Sequence, residues 1–237
     1  MHVEVALIQD LVPADLGGAV STVVIDVLRA TTTVVYALEA GCAVVTPVGS
    51  VDEARAKAAL TGALLAGERG GLPLDGFDFG NSPPDFTAER CAGRPVVLTT
   101  TNGTQAVRRC LGAQSVWAAA LVNAEATARA LVESGAEEVL LVCAGSGGEM
   151  AADDVAAAGC IAGSLALLGA ATPGDGARIA AALFDAWKHD LRGLLRRSLS
   201  GQKLTAAGLD ADLDHCARVD SVPMAVKLDG TGGFRRV

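Results

Sequence analysis

Short β-forming runs alternate with helical runs along this chain at the spacing of βα units, and that alternation commits it to an α/β fold. Strands are expected at residues 3–8, 22–25, 43–48, 63–66, 95–99, 115–118 and 138–143. Between them, helices are expected at 30–40, from the capping box Ser50-Val51-Asp52-Glu53 to about residue 61, at 103–111, and from an Asn123 cap to Gly135. From Asp153 onward the pattern is mainly helical, at 153–168 and 176–195. Residues 67–84 break the rhythm. They are rich in Gly, Pro, Asp and Asn, lack a periodic apolar face, and a loop of that length is more often functional than filler. No repeat or linker divides the chain, so the expectation is one domain over 1–237 with a helical C-terminal third.

Composition narrows the class further. With 237 residues, 51% of them hydrophobic, the chain can bury a sizeable core, which excludes intrinsic disorder. No apolar run is long enough to suggest a membrane span. The 27 acidic against 19 basic residues give a net charge of −8, so nucleic acid is not an expected partner and an anionic ligand needs a local site. The first residues show no basic segment followed by an apolar stretch, and the six cysteines form no CxxC pair. The expectation is a cytoplasmic protein with reduced, mostly buried thiols.

Ligands of open α/β sheets bind beyond the carboxyl ends of strands. Four of the expected strand ends carry polar clusters: Asp26 with Arg29 and Thr31-Thr32-Thr33; Glu68-Arg69-Gly70-Gly71; Thr100-Thr101-Asn102-Gly103-Thr104; and Cys143-Ala144-Gly145-Ser146-Gly147-Gly148-Glu149. If these strands are parallel neighbours, all four clusters lie on one rim. Each cluster alone has an ordinary reading as well. Asp26 and the threonines suit helix caps, Arg29 a surface charge, Asn102-Gly103 a turn, and Cys143 a small buried residue.

Several chemistries can be set aside. Glu149 stands where a phosphatase cysteine loop needs Arg, and Asp26-Val27-Leu28 lacks the second acid that an aspartyl-nucleophile motif carries two residues on. No GxxxxGK[ST] is present, and Gly145-Ser146-Gly147-Gly148 is too irregular for a dinucleotide fingerprint. The three histidines, His2, His189 and His215, lie outside the clusters, which disfavours zinc or a histidine triad. Carboxylates, hydroxyls, an amide and arginines remain. Oxygen ligands favour Mg²⁺, arginines with hydroxyls favour phosphate or sulfonate, and metal-assisted phosphoryl chemistry is the natural expectation.

At these same residues the chain resembles the 2-phosphosulfolactate phosphatase family. The matching segments, in family order, are 24–33; Gly67-Glu68-Arg69-Gly70-Gly71 with 76–83; 100–104; Cys143-Ala144-Gly145 with Asp153-Asp154 and Ala158-Gly159; and Cys216 with Asp220 and Val222-Pro223. Asp153-Asp154 stands where the family pattern suggests Glu-Asp. The resemblance implies a three-layer α/β/α fold with a mainly parallel or mixed sheet. It also implies a Mg²⁺-dependent phosphoric monoester hydrolase that converts (R)-2-phospho-3-sulfolactate to 3-sulfolactate and phosphate, a step of coenzyme M biosynthesis.

On that resemblance the expected catalytic residues are Asp26, Arg29, Glu68, Arg69, Asn102, Cys143 and Asp154, with Asp26, Glu68 and Asp154 as the metal shell. Substrate contacts are expected from Thr31, Thr32, Asp78, Asn81, Ser82, Thr101, Gly103, Thr104, Gly145 and Asp220. Arg29, Arg69 and Asn102 would hold anionic groups; Thr31, Thr101 and Thr104 would donate to phosphate oxygens; Asp78, Asn81 and Ser82 would shape the long loop. Cys143 and Asp220 come with the family pattern and no derived role. The competing readings are a phosphatase of the same fold acting on another phosphorylated hydroxy acid, and a non-enzymatic protein that binds a small polyanion. The Ala-rich helix faces suit a homo-oligomer, a dimer in the first instance.

Overall fold

Branched apolar residues make the strands and Ala-rich runs make the helices of the chain, which a computed structural model describes at residues 1–169 and 171–237. The first half builds β1 (His2–Ala6), β2 (Val20–Ile25), α1 (Ala30–Glu39), β3 (Val44–Pro47), α2 (Val51–Thr61), β4 (Leu64–Arg69), β5 (Leu72–Pro73), α3 (Ala88–Cys91), β6 (Pro95–Thr99) and α4 (Gly103–Arg109). The second half builds β7 (Ser115–Ala119), α5 (Ala124–Glu133), β8 (Glu138–Cys143), α6 (Ala152–Leu167), β9 (Thr172–Pro173), α7 (Asp175–Trp187), α8 (Leu191–Arg197), α9 (Leu199–Ala206), α10 (Asp212–Cys216), β10 (Val226–Leu228) and β11 (Phe234–Arg236).

The strands form one mixed sheet in the order β5-β4-β6-β3-β11-β10-β7-β2-β8-β1-β9. Strand β2, between β7 and β8, is buried from Ser21 to Ile25, as befits a Val/Ile run covered on both faces. Two parallel blocks, β4-β6-β3 and β7-β2-β8-β1, are joined by the antiparallel hairpin β10–β11. Helices α5, α6 and α7 pack together over β1, β2, β7 and β8, whereas α1 and α4 pack on each other and on β2, β3, β7 and β11. The result is the three-layer α/β/α arrangement.

With only 3% aromatic residues, the core is filled by Ala, Val and Leu, and Trp117 is the largest side chain fully buried in it. Small residues let elements come close. Gly159 of α6 lies directly against the carbonyl of Ala180 on α7, where a methyl group would collide with backbone.

The structure departs from the sequence expectations in several places. The four polar strand ends do not belong to four parallel neighbours: β2 pairs with β8 and β4 with β6, and β3, the hairpin and β7 stand between the two pairs. The loops that follow the two pairs meet all the same: Asn102 Oδ1, after β6, accepts from Gly147 N–H, after β8 (3.2 Å). β4 runs three residues beyond the expected strand, to Arg69, and pairs with β5. Much of the expected loop 67–84 is thereby strapped down, with Asp78 N–H and Phe79 N–H both donating to Leu65 O. The helix expected at 176–195 breaks into α7 and α8, and the last residues of the helical third turn back as the β10–β11 hairpin. Ser50 caps α2 by accepting from Glu53 N–H (3.1 Å), while the Glu53 carboxylate reaches Gly49 N–H (2.9 Å) rather than Ser50. Asn123 stands at the start of α5 without capping it. Its amide bonds Ala120 N–H and Met224 O instead, tying the helix start to the segment that enters β10.

Candidate active site

Strand register places two carboxylates one step beyond the last paired residues of the two rims. Ile25 is level with Ala119 and Cys143, so Asp26 emerges beside the loop that starts at Ala144. Gly67 is level with Thr99, so Glu68 emerges beside Thr100. Between them lies a cavity of about 120 Å³ lined by Asp26, Arg29, Glu68, Gly70, Gly71, Asn81, Thr100, Thr101, Asn102, Ser146 and Gly147, with Leu28 alongside. The fourth wall is α9, through Ser200, Lys203 and Leu204.

Asp26 is 6% exposed and firmly oriented. Oδ1 accepts from Ala30 N–H at the start of α1 (3.1 Å), and the Thr31 hydroxyl closes on Asp26 O (2.9 Å). The ordinary cap reading therefore holds for one carboxylate oxygen. Oδ2 has no hydrogen-bond partner among the described residues; a Cβ built on Gly103 would stand 2.6 Å from it and 2.5 Å from Ala30 Cβ. Only glycine lets the start of α4 approach so closely. Burial pushes the Asp26 carboxyl from near 3.8 up to about 7, reinforced by the charges of Asp153 and Glu68 and opposed by the Ala30 N–H and Arg29.

Asp154 and Asp153 open α6 beneath Asp26. Asp154 accepts from Val27 N–H at Oδ1 (2.8 Å) and from Gly145 N–H at Oδ2 (2.9 Å), so it clamps the loops after β2 and β8 and does not line the cavity. Burial and the charges of Asp153 and Asp26 hold its pKa well above the usual range. Asp153, 1% exposed, is pushed up to about 6 by burial, and its Oδ1 has no partner. Glu68 accepts from Gly71 N–H (2.7 Å) and Thr101 N–H (2.8 Å), and so fixes the turn after β4 against the loop after β6.

Arg29 follows a cis peptide bond and is 4% exposed. It donates to Asp212 Oδ2 and to Gly71 O (2.7 Å), and the Ser82 hydroxyl binds the other oxygen of Asp212. The arginine is thus half of a buried ion pair that draws α10 to the site. The rest of its planar fork of N–H groups is available to the cavity it lines. Arg69 is taken up locally by Glu68 O and Thr99 Oγ1 and lies off the cavity.

Several expected contacts are placed elsewhere. Thr32 donates to Val27 O and Thr104 to Thr100 O, so with Thr31 these hydroxyls brace backbone turns. Asp78 holds Leu65 N–H, and Gly145 serves the Asp154 clamp. Cys143 is fully buried at the end of β8 and does not line the cavity; burial and the charges of Asp154 and Asp153 push its thiol above its ordinary value. Asp220 caps α5 by accepting from Glu125 N–H (2.7 Å) and lines a different, larger groove beside α6 and α7. Asn81 does line the cavity, 3% exposed, with a buried Oδ1 that has no partner.

Sequence reasoning missed Asp212, Ser200 and Lys203. The missing signal for Asp212 is its charge balance with Arg29, which is visible only when α10 is folded back. Ser200 and Lys203 sit on a short polar helix with no motif of its own.

Among the described residues no three His, Cys, Asp or Glu side chains gather into a ready metal cage. Mg²⁺ is typically held by one or two carboxylates together with water and substrate phosphate. The free Oδ2 of Asp26 fits such a role. Glu68, which lines the same cavity, and Asp154, which does not, each have both oxygens on backbone N–H groups.

Comparison with known proteins agrees with the site's chemistry. The family model described as 2-phosphosulpholactate phosphatase matches residues 6–231. A protein of Deinococcus radiodurans named as a probable 2-phosphosulfolactate phosphatase is 46% identical over 200 residues, 84% of this chain and 83% of its own length. Proteins of the same name from Gloeobacter violaceus and a Synechococcus species are 41% and 40% identical, covering 98% and 95% of this chain and 97% and 96% of their own.

Proposed function

The chain belongs to the 2-phosphosulpholactate phosphatase family, and from that premise we propose that it hydrolyses (R)-2-phospho-3-sulfolactate to 3-sulfolactate and phosphate in Mg²⁺-dependent fashion. It is an enzyme of the phosphoric monoester hydrolase class. The observation that carries the finer reading is the unpartnered Oδ2 of Asp26, held at the floor of a small polar cavity between Asn102, Arg29 and Glu68.

The chain's own residues bind and orient the phosphoryl group. The remaining N–H donors of Arg29 and the amide of Asn102 take phosphoryl oxygens, with the Thr101 hydroxyl at the same wall. The Arg29–Asp212–Ser82 chain keeps the guanidinium from swinging away. Asp154 and Glu68, by bonding backbone N–H groups on both rims, keep the loops at a fixed separation, so the cavity is preformed. Asp26, with Glu68 beside it, would hold Mg²⁺, which supplies charge neutralisation of the phosphoryl oxygens. We place the reaction in coenzyme M biosynthesis in the cytoplasm, with a homodimer as the expected assembly. No helix among the described residues is long and apolar enough to cross a membrane.

The test is phosphate release from racemic 2-phospho-3-sulfolactate, with 2-phospholactate alongside, in Mg²⁺ and in EDTA. Release that needs Mg²⁺ and strongly prefers the sulfonated ester is the expected result. Equal rates on both esters would keep the phosphatase and remove the assigned substrate. Tight binding without release, indifferent to metal, would convert the protein into a polyanion-binding module.

A further inference from the structure

The substrate proposed above carries three anionic groups, and the cavity's cations are unevenly committed. Arg29 is neutralised by Asp212, and Arg69 is bonded to Glu68 O and Thr99 Oγ1 outside the cavity. Lys203 is different. It lines the cavity from α9, and its one hydrogen bond among the described residues is to the Ser146 hydroxyl oxygen (3.1 Å), with no carboxylate partner. Ser146 is 4% exposed and has no acceptor for its own O–H among the described residues, so that proton is free to be given to a ligand. Ser200, one turn before Lys203, lines the same wall.

The position of α9 is fixed on three sides. Ser198 caps it by accepting from Gly201 N–H (3.1 Å), and Gly201 lies so close to Leu195 O that no side chain fits there. A Cβ on Gly71 would meet Leu204 Cδ2 at 3.7 Å, so the helix leans on the turn after β4, the turn whose carbonyl Arg29 holds. Toward the other rim, Gly147 brings the loop backbone near the Lys203 ammonium; a Cβ there would lie 3.9 Å from Nζ. Lys203 is thus presented across the cavity from the carboxylate wall.

We propose that Lys203, with the hydroxyls of Ser146 and Ser200, binds the sulfonate of the substrate and is the specificity-determining residue of the enzyme. The inference rests on the function proposed above. A sulfonate spreads one charge over three oxygens, which a compact ammonium with three donors and flanking hydroxyls can meet as a point charge. The arrangement separates duties: Asp26, Arg29 and Asn102 face the phosphoryl group, and α9 faces the sulfonate, one of the two acid groups that are not transferred.

The test is steady-state phosphate release by wild type, Lys203→Met, Lys203→Arg and Ser146→Ala on 2-phospho-3-sulfolactate and 2-phospholactate. Losing a charge-assisted contact is expected to lower the selectivity of Lys203→Met, the ratio of kcat/KM values for the two esters, by about 10- to 100-fold through KM. Lys203→Arg is expected to recover part of that ratio, and Ser146→Ala to lose about 3- to 10-fold of it. An unchanged ratio in Lys203→Met, whether both activities fall together or neither falls, overturns the assignment while leaving the phosphatase standing. A wild-type enzyme that releases no phosphate from the sulfonated ester overturns the function itself, and the inference with it.

Discussion

The carboxylate wall of the cavity and the α9 wall that faces it are built on different principles. Asp26 and Glu68, with Asp154 behind them, are buried and tied to backbone N–H groups of Ala30, Gly71, Thr101, Val27 and Gly145, so each acid is oriented by the loops it also holds together. Lys203 is exposed and has one bond, to a serine. One wall holds acids whose burial raises their pKa values; the other offers a single cation that can follow its ligand. On the function proposed above, rigidity sits where charge must be placed for bond breaking, and adjustability where a substrate is told from its neighbours.

The sharpest way to break this comparison is to remove the anchor of Arg29. Asp212→Ala leaves a buried guanidinium unpaired and is expected to destabilise the fold by about 3–5 kcal/mol in urea unfolding. A loss under 1 kcal/mol would show that the site tolerates a loose arginine. Gly103→Ala forces a methyl against Ala30 and Asp26; about 1–3 kcal/mol of destabilisation is expected, with a fall in kcat, because Oδ2 must move. Wild-type kcat and stability together would mean that Asp26 is not held as described.

The burial of Asp26 and Asp153 should be visible in pH. Burial pushes Asp26 up to about 7 and Asp153 up to about 6, from near 3.8. Between those limits the folded chain binds more protons than the unfolded one, so metal-free stability is expected to fall as pH rises from about 4 to about 7. Asp153→Asn, which removes one of the ionising groups, is expected to raise the metal-free melting temperature at pH 8 by about 2–6 °C. A lower melting temperature there would show that the Asp153 charge is compensated. The smallest effect belongs to Cys143. Cys143→Ala should keep kcat/KM within about fivefold of wild type, since a buried neutral thiol contributes packing alone. Loss of activity far beyond loss of stability would return it to the chemistry.

The α/β class and most of the regular elements were legible because apolar periodicity and caps are local signals. So was the carboxylate wall, since Asp26, Glu68 and Asn102 follow strands that name their own rim. The rest depends on long-range geometry. Nothing local shows that the β10–β11 hairpin separates the two parallel blocks, or that Glu68 and Asn102 share a cavity with Asp26 and Gly147. Thr31, Thr32 and Thr104 looked like phosphate donors because hydroxyls at helix starts serve both purposes, and here backbone carbonyls took them. Asp212 and Lys203 lie on short helices far along the chain, where a single charge carries no sign of what it will face.

The central claim is that the free oxygen of Asp26 serves the phosphoryl group and its Mg²⁺. The most direct measurement is phosphate release by Asp26→Asn in Mg²⁺, paired with the Mg²⁺-induced shift in melting temperature. Turnover is expected to fall by about a thousandfold or more, the Mg²⁺ shift to vanish, and the fold to stay intact. An Asp26→Asn protein that keeps wild-type turnover and its dependence on Mg²⁺ would contradict the account.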